Sequence, residues 1–261
     1  MVRQLLWTLT LALPLWPQAT SVSVSADVNG RTEAAVWQGV PAVISASLFL
    51  TEGSAATLAL RDSTWTTALH PVIYASDGQA IDLALRLIET PGSTVQLRPA
   101  GRARAFWVLS GEQTAALPPG EYSLQLSFDT REISTDDGWQ GTADSGSVSF
   151  TVAPEPSSPS EDDVVTKARF IAAYHALLGE WPTAVTTLED ALLQVPEQLT
   201  LLGDLAESLE GAGRLDDALA RANEALALFA IRNPDSDHPA FDLIRTRNRI
   251  RARIQATQVQ P

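Results

Sequence analysis

The sequence predicts two domains of different class, an antiparallel β-sandwich followed by an α-helical domain. Apolar residues alternate with polar ones through the first half, which is typical of half-buried strands. In the second half they recur at helical spacing instead. Residues 153–163, between the halves, contain three prolines, three serines and four acids and therefore predict a solvated, extended linker. These observations place the sandwich at residues 21–152 and the helical domain at residues 164–257.

The composition favours packed domains and excludes several classes of function. The chain has 261 residues, of which 45% are hydrophobic, so it can bury substantial cores. Its 31 acidic and 18 basic residues give a net charge of −13, which argues against nucleic acid as a partner. Because cysteine is absent, disulfides, thiolate zinc sites and cysteine nucleophiles are excluded. Lys167 is the single lysine among many arginines, which indicates a GC-rich bacterial genome.

Residues 1–20 have the layout of a secretory signal peptide. Arg3 precedes an apolar stretch that ends near Trp16, and small residues follow. This stretch is too short to cross a bilayer comfortably, and two prolines interrupt it. We therefore expect a periplasmic or secreted bacterial protein with no integral membrane span after cleavage, and an association with the cell envelope stays open.

The strands of the sandwich are justified in order along the chain. Val22, Val24, Ala26 and Val28 alternate with polar residues and predict the first strand. The remaining strands are predicted at 44–50, 57–60, 72–75, 81–88, 94–97, 103–109, 122–128 and 148–152. Ala84 and Arg86 tolerate a helix, so a helical insertion at residues 81–87 is an alternative to a strand there.

Residues 117–124, Leu-Pro-Pro-Gly-Glu-Tyr-Ser-Leu, form a proline–glycine turn followed by an alternating strand. This segment resembles the late strand of bacterial immunoglobulin-like modules. The resemblance, together with seven to nine predicted strands, implies an immunoglobulin-like sandwich.

The helical domain contains a repeat with a period of 34 residues, seen when Ala184 is aligned with Ala218. The matching positions are Ile171, Ala172, Gly179, Trp181, Ala184, Leu188, Ala191 and Pro196 in the first copy, and Leu202, Leu205, Ala206, Leu209, Gly213, Leu215, Ala218, Ala222 and Ala225 in the second. These positions resemble the tetratricopeptide repeat, which implies stacked helical hairpins. Ala230 stands where that family has a closing proline, so the second hairpin is expected to run on.

A single helix at about residues 239–255 is expected to cap the second hairpin, with its start near Asp237. The resemblance implies a concave groove for a protein or peptide partner. Carried over position by position, the groove residues are Arg169, Ala173, Thr200, Glu207 and Glu210. Because Glu207 and Glu210 are acidic, we expect this groove to suit a neutral or basic peptide rather than a terminal carboxylate.

Charge is divided unevenly within the helical half. Residues 161–237 carry a net charge of −10, whereas residues 238–261 carry a net charge of +4. One interpretation is that the terminal helix is held against an acidic neighbour by weak ion pairs. The alternative is a surface for an acidic partner or anionic lipid, with Arg245, Arg249 and Arg253 as its candidate residues.

No catalytic constellation, cofactor motif or metal-ligand spacing is found in the sequence. The three histidines, His70, His175 and His238, lie too far apart in sequence to form a recognised zinc motif. The loop from Asp136 to Asp144 is acidic and contains glycine, so calcium binding there is left open.

The sequence therefore predicts a non-enzymatic adaptor or assembly factor that binds a protein or peptide in the helical groove. The alternative is a carbohydrate- or cell-wall-binding protein that acts through the sandwich. In that case Trp65, Trp107 and Trp139 are the candidate recognition residues.

Overall fold

The computed structural model describes residues 20–61, 65–234 and 240–259. The predicted signal peptide, apart from Thr20, lies outside the described residues, and so does the predicted helix start near Asp237. The first half of the chain forms β-sheets and the second half is helical.

Eleven strands occur in the described residues. They are β1 (Ser21–Val28), β2 (Glu33–Trp37), β3 (Ala42–Glu52), β4 (Ala56–Ala59), β5 (Leu69–Ala75), β6 (Ala80–Ile81), β7 (Arg86–Glu89), β8 (Thr94–Leu97), β9 (Arg102–Leu109), β10 (Gly120–Asp129) and β11 (Thr142–Ala153).

The strands form two main sheets that pack face to face. One has the order β1-β3-β9-β7, and the other has the order β2-β11-β10-β5-β6. The pairing is antiparallel except between β2 and β11, which run parallel. A separate two-stranded ladder joins β4 and β8. The predicted β-sandwich is confirmed at this level of architecture, and the parallel pairing of β2 with β11 departs from the fully antiparallel sheets that were predicted.

The core of the sandwich lies between the two sheets because inward residues alternate along each strand. Ile44, Leu48, Leu124 and Leu126 are all nearly inaccessible to solvent. Phe128 also lies in this core and stacks on Trp65 at one end. Burial of these side chains supplies the main stabilisation of the sheet pair.

Tyr122 fastens the turn that precedes β10. Its hydroxyl donates a hydrogen bond to the carbonyl oxygen of Pro118 at 2.6 Å, and its ring stacks on Phe150 at 5.4 Å between centroids. Burial raises the pKa of the Tyr122 hydroxyl. This bond and the ring stacking therefore hold the turn against the start of β10.

The structure differs from the sequence prediction around residues 81–88. Neither a continuous strand nor a helix forms there, because β6 ends at Ile81 and β7 begins at Arg86. These two short strands belong to different sheets. The alternating leucines therefore mark a crossing between sheets rather than one element.

Two short helices in the sandwich were not predicted, α1 (Trp65–Ala68) and α2 (Gly111–Ala116). A capping box formed by Ser110 and Gln113 stabilises the N-terminus of α2. Ser110 Oγ accepts from the backbone N–H of Gln113, and the Gln113 side chain accepts from the backbone N–H of Ser110. This Ser-x-x-Gln pattern is readable in the sequence as a helix start.

Five helices follow in the second half. They are α3 (Glu161–Leu177), α4 (Trp181–Gln194), α5 (Leu199–Gly211), α6 (Leu215–Arg232) and α7 (Phe241–Val259). Among the described residues, no helix is both long enough and apolar enough to cross a lipid bilayer.

The hairpins α3–α4 and α5–α6 repeat their geometry as well as their sequence. Ala184 and Ala218, 34 residues apart, are both fully buried where the paired helices approach. Gly179 and Gly213, also 34 apart, both have φ of 77°, a left-handed conformation that glycine adopts without steric cost. The same small residues therefore set helix spacing and turn in both hairpins.

Helix α7 packs beside α6 and α5. It begins at Phe241 and ends at Val259, a few residues beyond the predicted end at 255. Ile250 is fully buried against the hairpins, whereas Phe241 is 71% exposed.

The segment between the domains is shorter than predicted and is not free of contacts. Strand β11 continues to Ala153, and α3 begins at Glu161 behind a capping box formed by Ser160 and Asp163. The Nζ of Lys167 on α3 lies 2.5 Å from Glu155 Oε1. Helix α3 also packs beside β3, so it contacts both the connecting segment and the sandwich.

Gly211 allows α4 to approach the end of α5, so we predict that Gly211→Ala destabilises the helical domain. A Cβ at this position would overlap the ring of Trp181. We expect a loss of about 1–2 kcal/mol in the free energy of unfolding, measured by urea denaturation and circular dichroism.

Gly203→Ala in the same helix is the matched control. Its Cβ would lie 3.1 Å from Leu243 Cδ2, the end of a flexible side chain, and alanine favours the helix. We expect no loss of stability. Equal destabilisation by both variants would contradict the role given to the Trp181 contact.

Candidate functional site

A cleft of about 1130 Å³ lies between the helical hairpins and the sandwich. Its helical wall is formed by α3, α5, α7 and Trp181 at the start of α4. Its opposite wall is formed by the outer face of the sheet β1-β3-β9-β7 and the turn after β1. Across this sheet, Asp27, Ser45 and Phe106 form a continuous row of paired residues. This cleft therefore draws on both domains.

Four of the five predicted groove residues line this cleft. Arg169 and Ala173 come from α3, and Glu207 and Glu210 come from α5. Thr200 does not line the cleft. It lies exposed in the first turn of α5, at the opposite end of that helix from Glu210.

Glu210 is the most enclosed charged group in the cleft, with a side chain only 6% exposed. Its carboxylate accepts hydrogen bonds from Arg249 Nε at 2.9 Å and Arg249 Nη2 at 2.8 Å, and from Arg253 Nη1 at 3.2 Å. Burial acts to raise the pKa of Glu210, but the bonds from both arginines outweigh it and lower the pKa. Glu210 is therefore a charged group satisfied within the chain.

A second ion pair crosses from α3 to α5. Arg169 Nε donates to Asp204 Oδ2 at 2.6 Å. Burial raises the pKa of Asp204, because it outweighs the attraction of the Arg169 guanidinium. This pair joins the two hairpins at the floor of the cleft.

Helix α7 brings arginines into the groove. Arg249 and Arg253 line the cleft and pair with acidic residues of α5, as expected if the terminal helix is held against an acidic neighbour. Arg245 instead lies outside the cleft and pairs with Asp242 at 2.9 Å. The three residues proposed for an anionic partner therefore do not share one surface.

The predicted acidic character of the groove is wrong. Five acidic residues and five arginines line the cleft, so its formal charge is balanced. The prediction counted Glu207 and Glu210 on α5 but did not place Arg249 and Arg253 beside them. Thr246 on α7 also donates a hydrogen bond to Glu207 Oε1 at 3.0 Å.

The sandwich wall was missed by the sequence analysis. Arg104 and Phe106 on β9 line the cleft, whereas Ala103, Ala105 and Trp107 between and beside them are buried in the core. The alternation along β9 is the signal that could have placed Arg104 and Phe106 on the outer face. This alternation does not indicate which part of the protein lies opposite the outer face.

The acidic loop considered for calcium does not gather its carboxylates. Asp136 pairs with Arg61 at 3.3 Å, and Asp129 accepts a hydrogen bond from Arg131 Nη2 at 2.6 Å. The bond from Arg131 lowers the pKa of Asp129 to about 2. Within the ranges that the structure describes, no three acidic or histidine side chains are grouped to hold a metal ion.

The tryptophans considered for carbohydrate recognition serve the sandwich core. Trp65 is 1% exposed and Trp107 is 3% exposed. Trp139 stacks on Phe128 at 5.7 Å between centroids, and its indole N–H donates to Thr20 O at 3.2 Å. The proposed exposed aromatic platform is therefore not formed by these residues.

The histidines are dispersed. His70 is exposed on β5, and His175 Nδ1 lies 2.7 Å from Glu180 Oε2 at the turn between α3 and α4. His238 lies outside the described residues.

Comparison with known proteins gives similarity at the level of structure alone. No family model and no curated protein matches the chain. A family 123 glycoside hydrolase from Clostridium perfringens is similar at 12% identity and a TM-score of 0.30, over 52% of this chain and 28% of that chain. A CARDB domain of PF1109 from Pyrococcus furiosus is similar at 10% identity and a TM-score of 0.27, over 51% of this chain and 89% of that chain.

A chain of the Salmonella enterica SafA pilin–SafB chaperone complex is similar at 10% identity and a TM-score of 0.29, over 54% of this chain and 60% of that chain. The matched lengths are about half of this chain in each case, and the chain spans little more than a quarter of the hydrolase. Because these TM-scores are below 0.5, none of the similarities assigns a function.

We predict that Glu210→Gln destabilises the protein in a pH-dependent way. The pKa of Glu210 is lowered in the folded state, so its ionised form stabilises the fold above the ordinary glutamate pKa of about 4.3. This contribution disappears as the pH falls through the folded-state pKa. We expect a cost of about 2 kcal/mol near pH 7 that shrinks towards about pH 3.

Urea denaturation at both pH values measures this cost. Glu207→Gln is the control. The Glu207 side chain is 55% exposed, so this substitution should lower the free energy of unfolding only slightly at either pH. A Glu210→Gln cost that stays constant with pH would contradict the assignment.

Proposed function

We propose that this protein is an exported bacterial adaptor or assembly factor that holds a segment of a partner protein in its cleft and performs no catalysis. The single observation that carries this proposal is the cleft of about 1130 Å³ between the two domains. Sites for small ligands usually occupy about 300–1,000 Å³, so this cleft is at the large end for a small molecule and suits a peptide segment.

The walls of the cleft support recognition of a peptide. Phe106, Phe170 and Trp181 provide apolar surface, and arginines and carboxylates lie among them. Aromatic and arginine side chains are enriched where proteins bind one another. Exposed Ala173 leaves room for a ligand above α3.

We assign the first domain to the immunoglobulin-like class and the second to the tetratricopeptide-like class. The sheet order and the Tyr122 bond to Pro118 support the first assignment. The 34-residue recurrence of buried Ala184 and Ala218, with the glycine turns, supports the second. Stacked hairpins of the second class commonly expose a concave binding surface.

Export rests on the pattern of residues 1–20. We predict that the chain expressed in a bacterium loses this segment and reaches the periplasm or medium. A Leu9→Arg, Leu11→Arg double variant should retain the segment and stay in the cytoplasm, because charges interrupt the apolar stretch. Cell fractionation and intact-mass measurement test this, and export of the double variant at full efficiency would contradict it.

We predict that a photo-reactive benzophenone amino acid at Ala173 crosslinks a protein partner in living cells. The same group at Glu189 is the control, because Glu189 is exposed on α4 and does not line the cleft. Adducts are identified by mass spectrometry. Equal yields at both positions, or adducts that contain glycan but no protein, would argue against the proposed function.

A further inference from the structure

Five arginines line the cleft, and four of them lie on strands or helices of the two domains. Arg104 comes from β9, Arg169 from α3, and Arg249 and Arg253 from α7. The side chains of the three helical arginines are each about half exposed. These cations are thus accessible to a ligand from two opposite walls.

Most of the hydrogen-bond donors of these arginines are unused within the described chain. A guanidinium has five N–H donors. Arg169 donates through Nε alone, and Arg253 donates through Nη1 alone. The side chain of Arg104 makes neither a hydrogen bond nor an ion pair with any described residue. The Nδ2 of Asn29, buried in the same wall as Arg104, is a further donor without a described acceptor.

The carboxylates of the cleft are largely satisfied by the chain itself. Glu210 is held by Arg249 and Arg253, and Asp204 by Arg169. Asp27 accepts from Ser45 Oγ and from the backbone N–H of Gly30, and Glu207 accepts from Thr246. Glu89 is the remaining acid of the lining, and it pairs with no described residue. Although the arginines and carboxylates of the cleft are equal in number, the cleft therefore has more free hydrogen-bond donors than free acceptors.

We propose that the cleft binds a short acidic segment of a partner protein, whose side-chain carboxylates pair with Arg104 on one wall and Arg169 on the other. This proposal rests on the proposed function and names the chemistry of its partner. Arginine binds carboxylates through paired hydrogen bonds, which are stronger than bonds between neutral groups. Phe106 and Phe170 lie near these arginines in sequence and line the same cleft, so they provide apolar contacts for the same segment.

The overall negative charge of the chain helps to distinguish local recognition from non-specific attraction. At a net charge of −13, the chain as a whole attracts basic peptides and repels acidic ones. Selection of acidic peptides would therefore report on the local donors of the cleft and not on non-specific attraction.

The test is a selection of random octapeptides, displayed from a library, on the full chain without its signal peptide. We expect Asp and Glu to be enriched several-fold in the bound peptides. The best peptide, synthesised with an amidated C-terminus, should bind Arg104→Glu at least tenfold more weakly by calorimetric titration, because a like charge then faces its carboxylates.

Arg102→Glu is the matched control. Arg102 is exposed on the same strand but lies outside the cleft and stacks over Phe49. It should leave peptide affinity within about twofold, since Arg102 lies outside the cleft and would not pair with the carboxylates of the bound segment. Arg169→Gln is a second variant in the cleft and should weaken binding in the same direction. Thermal melting of each variant separates loss of binding from loss of folding.

Two results would overturn the proposal in different ways. Enrichment of basic or uncharged peptides that crosslink at Ala173, or acidic peptides bound equally well by Arg104→Glu, would exclude an acidic segment but leave peptide binding in the cleft intact. Absence of any enriched peptide, together with absence of a protein adduct at Ala173, would remove both this proposal and the proposed function.

Discussion

The burial of one carboxylate determines how the cleft is built. Glu210 lies in the last turn of α5 with its side chain almost inaccessible, where an unpaired charge would be costly. Arg249 and Arg253 satisfy it, and because they are four residues apart they lie on one face of α7. Because both arginines must reach Glu210, their hydrogen bonds fix the rotation of α7 against α5. Thr246, also on α7, donates a further hydrogen bond to Glu207 on α5. The groove acquires the arginines of α7 through their pairing with Glu210.

The other constraint is the close approach of helices at small residues. Ala184 and Ala218 have no exposed surface, so a larger side chain at either position has no space to occupy. Helix α3 then has two roles, since it packs on α4 and also beside β3. The contact between Lys167 and Glu155 lies on the surface and contributes at most about 1 kcal/mol.

Local patterns in the sequence predicted much of the fold and part of the site. Period-two alternation identified strands such as β1 and β3, and the 34-residue recurrence identified two helical hairpins. The resemblance of this repeat to the tetratricopeptide family implied that Arg169, Ala173, Glu207 and Glu210 lie in one groove. The Ser110–Gln113 capping box marked α2 equally clearly but was not used. The prediction of one element at residues 81–88 was wrong because apolar and polar residues alternate in the same way whether the chain stays in one sheet or crosses to another.

The sequence by itself determined the two classes of domain, their order and the repeat, because alternation and helical period are properties of neighbouring residues. Tertiary structure decided the charge of the groove and the second wall of the cleft. Arg249 is 39 residues from Glu210, and Arg104 belongs to another domain from Arg169. Which of these side chains meet depends on helix rotation and on the contact of α3 with β3, and those follow from the packing of buried side chains that are distant in sequence.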